Sequence, residues 1–314
     1  MAHSSSSSGQ GGFYGVFVDF MAGGISGALA KTIAAPMERV KLLLQTQEAN
    51  KQLDGKKYTG IINCFVRCVQ EEGTISLWRG NWANVIRYFP TQAINFSVKD
   101  ALNRNFCPYD PKKEPYKFFF GRLISGGTAG AISLVFVYPL DFARTRLGVD
   151  VGKAANQRQF NGLMDCCGKI YKSDGLPGLY KGFGISVAGI FVYRAFYFGG
   201  YDAGKKLLFS GDERNIAIWK RLLFAQVVTS SSEILAYPFD TVRRRLMMQS
   251  GSKELIYSST MDCTMKIYNK EGFTGFFKGN LSNIWRSIGS SLVLVFYDEF
   301  QKVFKPAPPP KKAN

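Results

Sequence analysis

The fold of this chain is decided by the stretch Pro36-Met-Glu-Arg-Val-Lys41, because its pattern of proline, acid and base occurs three times. The other two copies are Pro139-Leu-Asp-Phe-Ala-Arg144 and Pro238-Phe-Asp-Thr-Val-Arg243. A pattern that returns at intervals of about 100 residues is the signature of a fold built from repeated units.

A second string follows each copy of the proline motif. In it an acid and a glycine precede an aromatic residue, a base and a second glycine, as in Glu72 to Gly80, Asp174 to Gly182 and Glu271 to Gly279. Cysteines also stand at equivalent positions between the two motifs: Cys64, Cys166 and Cys263. We interpret them as small apolar packing residues of a short helix rather than as redox or metal-binding groups.

Each repeat reads as a long apolar segment, a polar loop, a short amphipathic helix and a second long apolar segment. The long segments begin near Phe13, Trp82, Tyr116, Phe183, Trp219 and Leu281. Each is long enough to cross a hydrocarbon layer of roughly 30 Å. We therefore predict an all-α membrane protein with six transmembrane helices in a pseudo-three-fold bundle of three repeats, each with a short amphipathic surface helix.

We expect a single domain over residues 13–304, with repeats at about 13–112, 113–214 and 215–304. Residues 1–12 form a serine- and glycine-rich tail predicted to be disordered, and residues 305–314 form a C-terminal tail.

The composition limits the chemistry of the protein. Its 40 Lys and Arg against 23 Asp and Glu give a net charge of +17, which favours nucleic acid, an anionic membrane or a small polyanion as a partner. The one histidine, His3, lies in the serine-rich tail, so histidine-based catalysis and His-ligated zinc are set aside. We expect no catalytic residues, no bound metal and no enzymatic activity.

Charges beyond a proline kink in a membrane helix are costly unless they are paired. Three acids and three bases at one level of a three-fold bundle most simply form a ring of salt bridges that closes one end. The alternative is that each acid and base form an ordinary ion pair on the surface of their own helix.

The repeated proline motif and its downstream glycine string resemble the signature of the mitochondrial carrier family, from about residue 13 to residue 304. The run Arg243-Arg-Arg-Leu-Met-Met248 is similar to that of the family's members that exchange ADP for ATP. The resemblance implies alternating access in the mitochondrial inner membrane. It also implies a matrix gate made by the pairs Glu38 with Arg144, Asp141 with Arg243 and Asp240 with Lys41, with Gln45 bracing one pair.

The resemblance also implies a nucleotide site. Equivalent positions on the three even-numbered helices are Arg87, Gly189 and Arg286, of which the two arginines suit phosphate oxygens. The full set of expected substrate-binding residues is Lys31, Arg87, Gly189, Ile190, Tyr193, Arg244, Arg245 and Arg286.

Tyr193, Tyr197 and Tyr201 recur at four-residue spacing, which places them on one helix face. They are either core packing residues or, as the resemblance to the family implies, an aromatic ladder on which a base could stack.

The expected gate at the cytoplasmic end departs from the family pattern of an aromatic residue, an acid and a base. Its predicted members are Asp100, Tyr201, Asp202, Lys205, Tyr297 and Asp298. Asn103 and Gln301 stand where two of the three bases belong, so this gate should be weak.

Glu233 is a second departure, because it is the repeat equivalent of Lys31 and Leu134 and puts an acid into an anion cavity. We expect it to modulate the cavity by pairing with Lys31, or with Arg286 if the lysine is turned away, until a phosphate displaces it.

ADP and ATP are thus the implied substrates, and no cofactor or nucleic acid is implied. Cardiolipin is expected at helix N-termini near Gly60, Gly80, Gly162, Gly182 and Gly279. The protein should act as a monomer with both termini towards the intermembrane space. The alternatives are a carrier of the same family for another anion and a basic nucleic-acid-binding solenoid.

Overall fold

A computed structural model describes residues 13–53, 55–110, 113–152, 157–209, 218–252 and 255–286. Within these ranges the regular elements are all helices, so the predicted all-α fold is confirmed. The helices are α1 (Phe13–Thr46), α2 (Ile61–Arg67), α3 (Asn81–Phe106), α4 (Pro115–Val149), α5 (Leu163–Leu179), α6 (Phe183–Phe209), α7 (Ile218–Met248), α8 (Thr260–Glu271) and α9, which is described over residues 280–286.

The helices fall into the three predicted units. The long helices α1, α4 and α7 each contain the proline of the repeated motif, and each is followed by a short helix and a second long helix. The first short helix, α2, continues as a π-helical turn over Cys68–Glu72, and α5 is kinked at Gly175. Two short 3-10 helices, Thr74–Trp78 and Phe273–Phe277, lead into α3 and α9.

Three glycines pack each repeat against the next. Gly80, Gly182 and Gly279 precede α3, α6 and α9 with φ of 78°, 82° and 83°, a region that glycine reaches at no steric cost. A Cβ atom on Gly80 would lie 2.8 Å from the backbone oxygen of Arg144. On Gly182 and Gly279 it would lie 3.0 Å from the backbone oxygens of Arg243 and Lys41. The second motif therefore seats the second long helix of each repeat against the basic residue of the proline motif of another repeat.

Three apolar clusters fill the bundle at the end where the proline motifs lie. Each contains one of the equivalent cysteines, Cys64, Cys166 or Cys263, with no exposed surface. Burial raises the pKa of Cys166 and Cys263 to about 12. Both thiols therefore stay protonated and inert near neutral pH.

Among the described residues, the helices apolar enough over a sufficient length to cross a membrane are Pro115–Val149 and Phe183–Gly204. Other long helices carry charges in their central turns, such as Lys31, Arg87 and Glu233. Their charged faces lower their mean hydropathy, as expected where one face of a helix lines a polar cavity.

Candidate functional site

The acids and bases of the three proline motifs meet in one charged ring, formed by Glu38, Lys41, Asp141, Arg144, Asp240 and Arg243. Arg144 pairs with Glu38, and Arg243 pairs with Asp141. Lys41 Nζ lies 3.0 Å from Asp240 Oδ2. Each acid thus contacts a base from another repeat, and the three predicted pairs are all brought together.

Gln45 braces one pair of the charged ring, as placed by the sequence. Its amide Nε2 donates to Asp240 Oδ2 at 3.3 Å and to Thr241 Oγ1 at 2.9 Å. The Asn84 amide donates to Glu38 Oε2 at 3.2 Å. Buried charges that keep such hydrogen bonds hold each other in place, whereas removal of one partner leaves an uncompensated charge.

The three consecutive arginines of α7 point in different directions, because successive helical residues are about 100° apart. Arg243 belongs to the charged ring, and Arg244 Nε lies 3.0 Å from Asp240 Oδ2. Arg245 lies fully buried and pairs with Glu271 at the end of α8. Arg245 is therefore not in the cavity where the sequence analysis placed it, and it holds the short helix of its own repeat instead.

Hydrogen bonds from two side chains keep the carboxylate of Glu271 ionised. Burial alone would raise its pKa, but donors on Arg245 and Lys278 outweigh burial and leave the pKa of Glu271 below its usual range. Lys278 Nζ lies 2.8 Å from Glu271 Oε2 and 3.0 Å from Glu48 Oε1. The acid and base of the second motif therefore lock the third repeat to the end of α1.

A cavity of about 350 Å³ borders the charged ring, whose Asp240 and Arg243 form part of its lining. Its lining includes Arg87, Gly189, Ile190 and Tyr193, four of the residues expected to bind substrate. Three arginines line the cavity, Arg87, Arg194 and Arg243, beside an apolar and aromatic wall. The site therefore suits a ligand that has both an anionic and a flat apolar part.

Arg194 and Phe239 are among the cavity residues that the sequence analysis missed. Arg194 lies four residues after Ile190 on the same face of α6, a spacing that could have revealed it. Phe239 lies inside the proline motif, and a Cβ atom on Gly189 would stand 3.1 Å from its Cβ. The slot left by Gly189 is thus bounded by Phe239.

The two arginines expected to bind phosphate both rest near carboxylates. Arg87 Nε lies 3.7 Å from Asp141 Oδ1, within the charged ring. Arg286 Nη2 lies 3.4 Å from Oε1 of Glu233. Lys31 Nζ lies 5.6 Å from the centroid of the Tyr88 ring, so the structure gives Glu233 the second of its two predicted partners.

The tyrosines of α6 form a continuous stack. The centroids of Tyr193 and Tyr197 are 5.9 Å apart with rings inclined by 18°, and those of Tyr197 and Tyr201 are 6.3 Å apart with rings inclined by 24°. Tyr201 also contacts Phe224 at 5.3 Å. The stack runs from the cavity towards the end of the bundle opposite the charged ring.

The predicted gate at that opposite end falls mostly outside the described residues. This holds for the side chains of Asp100 and Lys205 and for the whole of Tyr297 and Asp298. Asp202 is half-buried on α6. Asn103, which stands where a base was expected, accepts a hydrogen bond from Ser125 of α4.

A three-repeat helical bundle that closes one end of a basic cavity with a ring of ion pairs is the architecture of a membrane carrier. The chain belongs to the mitochondrial carrier family, whose model, described as mitochondrial carrier protein, matches residues 13–110, 116–212 and 214–307. It is a multi-pass transporter of the mitochondrial inner membrane.

Curated relatives match nearly the whole chain. The Dictyostelium discoideum protein named mitochondrial substrate carrier family protein ancA is 58% identical over 286 residues, which covers 91% of this chain and 92% of the relative. ADP/ATP translocase 2 of Rattus norvegicus is 55% identical over 288 residues, or 90% of this chain and 96% of the relative. ADP/ATP translocase 3 of Homo sapiens is 55% identical over 289 residues, with coverages of 91% and 96%.

Proposed function

We propose that this protein exchanges ADP for ATP across the mitochondrial inner membrane by alternating access. The observation that carries the proposal is the charged ring that closes one end of a cavity lined by Arg87, Gly189 and Tyr193. The names of the relatives that are 55% identical support adenine nucleotides as substrates.

The cavity offers distinct partners to the two parts of a nucleotide. The guanidinium groups of Arg87 and Arg286 can bind phosphate oxygens through paired, charge-assisted hydrogen bonds, and Lys31 adds a flexible point charge. The base would lie against Ile190 and Tyr193 beside Gly189, with the tyrosine stack as its path towards the cavity. Arg244 pairs with Asp240 of the charged ring and would reach the phosphates when the ring opens.

Exchange then follows from charge. A nucleotide neutralises the arginines that now rest on carboxylates, so the pairs of the charged ring can part while a second set forms at the opposite end. ATP4− leaving against ADP3− moves one net charge, worth about 2.3 kcal/mol per 100 mV of membrane potential. A matrix that is negative inside would drive ATP outward.

The charged ring is assigned to the matrix side, and six membrane crossings put both termini in the intermembrane space. Cardiolipin would bind between repeats, where an apolar groove is lined by Gly60, Ile62, Leu281 and Trp285. One chain supplies the whole lining of the cavity, so a monomer would suffice for transport.

Uptake of labelled ADP into liposomes tests the proposal. Vesicles preloaded with ATP or ADP should accumulate label, and empty vesicles should stay near the background of protein-free vesicles. Preloaded GTP should support little uptake. Equal uptake with GTP, or with phosphate as the internal anion, would assign the carrier to another substrate.

Gly189→Ala is expected to raise the half-saturating ADP concentration by about three- to tenfold, because the new methyl group would press on Phe239 where the base is proposed to lie. Gly184→Ala on the same helix is the matched control, since a Cβ atom there meets nothing within 4 Å. Equal half-saturation in both variants would remove Gly189 from the site.

A further inference from the structure

Glu233 connects the proposed nucleotide site to the charged ring. Its Oε1 lies 3.4 Å from Arg286 Nη2, and its Oε2 accepts a hydrogen bond of 2.9 Å from the Asn283 amide Nδ2. The side chains of Glu233 and Arg286 keep 23% and 26% of their surface exposed. Both side chains are therefore accessible to solvent, and an anion that binds Arg286 would compete with Glu233 for it.

Asn283 connects this contact to the charged ring. It is 3% exposed, and its Oδ1 accepts from Lys41 Nζ at 3.1 Å and from Arg286 Nη2 at 3.1 Å. Lys41 in turn holds Asp240 at 3.0 Å. The side-chain amide of Asn283 thus connects Glu233 to Lys41 of the charged ring.

The third repeat alone has this arrangement among the described residues. The repeat equivalents of Glu233 are Lys31, which lies near the Tyr88 ring, and Leu134, which is buried in an apolar cluster. The equivalent of Asn283 in the second repeat is Ser186, which bonds to Tyr138. In the first it is Asn84, which donates directly to Glu38 of the ring. Glu233 is therefore an acid that the equivalent positions of the other two repeats lack.

We propose that Glu233 is a latch that keeps the charged ring of the empty carrier closed and that a nucleotide phosphate undoes. In the empty state its carboxylate orients the Asn283 amide, so that Asn283 Oδ1 faces Lys41 and strengthens the hold on that base. A phosphate that takes Arg286 displaces the carboxylate, frees Asn283 and removes the hydrogen bond that Asn283 accepts from Lys41. The inference rests on the proposed nucleotide exchange and adds to it a reason why the unloaded carrier stays closed.

The latch has two consequences that are measured separately. The carboxylate competes with phosphate, so its removal should tighten nucleotide binding. It also restrains the empty carrier, so its removal should let unloaded protein change state and release nucleotide without exchange. A residue with a merely structural role would not lower the half-saturating concentration and raise unpaired release together.

Glu233→Gln in ATP-loaded liposomes is the test. The half-saturating concentration of external ADP should fall by about 2- to 10-fold, the range expected for loss of a partly exposed ion pair. ATP efflux into nucleotide-free buffer should rise by a similar factor above that of the unsubstituted protein. Asn283→Ala should raise this efflux as well, because it cuts the bridge to Lys41.

The matched control is Glu114→Gln, which removes one negative charge from an exposed pair with Lys117 outside the cavity. It should change neither quantity. Glu233→Asp keeps the charge but shortens the side chain, so it should fold and show both changes in the same direction to a smaller extent. It decides the question if Glu233→Gln does not fold.

A half-saturating concentration that is unchanged or higher in both Glu233 variants would overturn the latch, as would unchanged efflux into nucleotide-free buffer. If the unsubstituted protein exchanges ADP and the variants behave like it, the latch alone is wrong. If the unsubstituted protein exchanges no adenine nucleotide, the proposed function fails and the latch falls with it.

Discussion

Arg286→Ala is expected to lower the rate of ADP exchange by roughly 30- to 1000-fold while leaving the protein folded. The substitution removes a charge-assisted donor pair for phosphate from the proposed nucleotide site. It also leaves Glu233 facing the incoming anion without its 3.4 Å partner. The initial rate of labelled ADP uptake into ATP-loaded liposomes measures the effect.

Arg104→Ala is the control for that experiment, because it removes the same charge from an exposed position near the end of α3. Arg286→Lys should fall between the two, since a lysine keeps the charge but cannot bind phosphate through a planar pair of donors. Exchange by Arg286→Ala at half the normal rate or more would remove this arginine from the phosphate site.

Asp240→Asn is expected to abolish exchange and to reduce the free energy of unfolding by about 3 to 5 kcal/mol. Asp240 accepts from Lys41 at 3.0 Å, from Gln45 at 3.3 Å and from Arg244 at 3.0 Å. Neutralising it leaves two nearly buried cations without their acid. Thermal unfolding in detergent, together with ADP uptake, measures both losses.

Asp262→Asn removes the same charge from a surface pair with Lys266 on α8 and should cost far less stability than Asp240→Asn. The exchanged pair Lys41→Asp with Asp240→Lys should recover part of the stability, because an ion pair can form again across the same gap. If Asp240→Asn unfolds at the same temperature as Asp262→Asn, the charged ring does not hold this end closed.

The charged ring could be predicted from sequence because its information is local and repeated three times. Proline, acid and base stand at the same offsets in each copy, and three-fold symmetry brings a base of one repeat to an acid of another. The seating of Gly80 against Arg144 has the same origin. A single copy of the motif would not show which distant residues it contacts, but the three-fold repeat does.

Side-chain direction could not be predicted where neighbouring residues are chemically alike. Arg243, Arg244 and Arg245 read as one basic run, and only the turn of α7 sends the last of them to Glu271. The partner of Glu233 also depended on side-chain reach, since Lys31 and Arg286 were both plausible by position. In the structure Arg286 lies 3.4 Å from Glu233, whereas Lys31 lies over the ring of Tyr88.

Residues that depart from the three-fold symmetry are the hardest to predict from the repeats. Arg194 lies outside the repeated motifs, and Phe239 stands at a position of the proline motif whose residue differs in each copy. Glu233 is visible in the sequence as an exception, yet its bridge through Asn283 to Lys41 required the geometry of α7, α9 and α1 together.

The most direct test of the central claim is a two-label measurement on sealed liposomes, with one label on internal ATP and another on external ADP. Antiport by one alternating cavity predicts that one ATP leaves for each ADP that enters, with neither nucleotide hydrolysed. ADP uptake that exceeds ATP release, or phosphate production that depends on the protein, would contradict it.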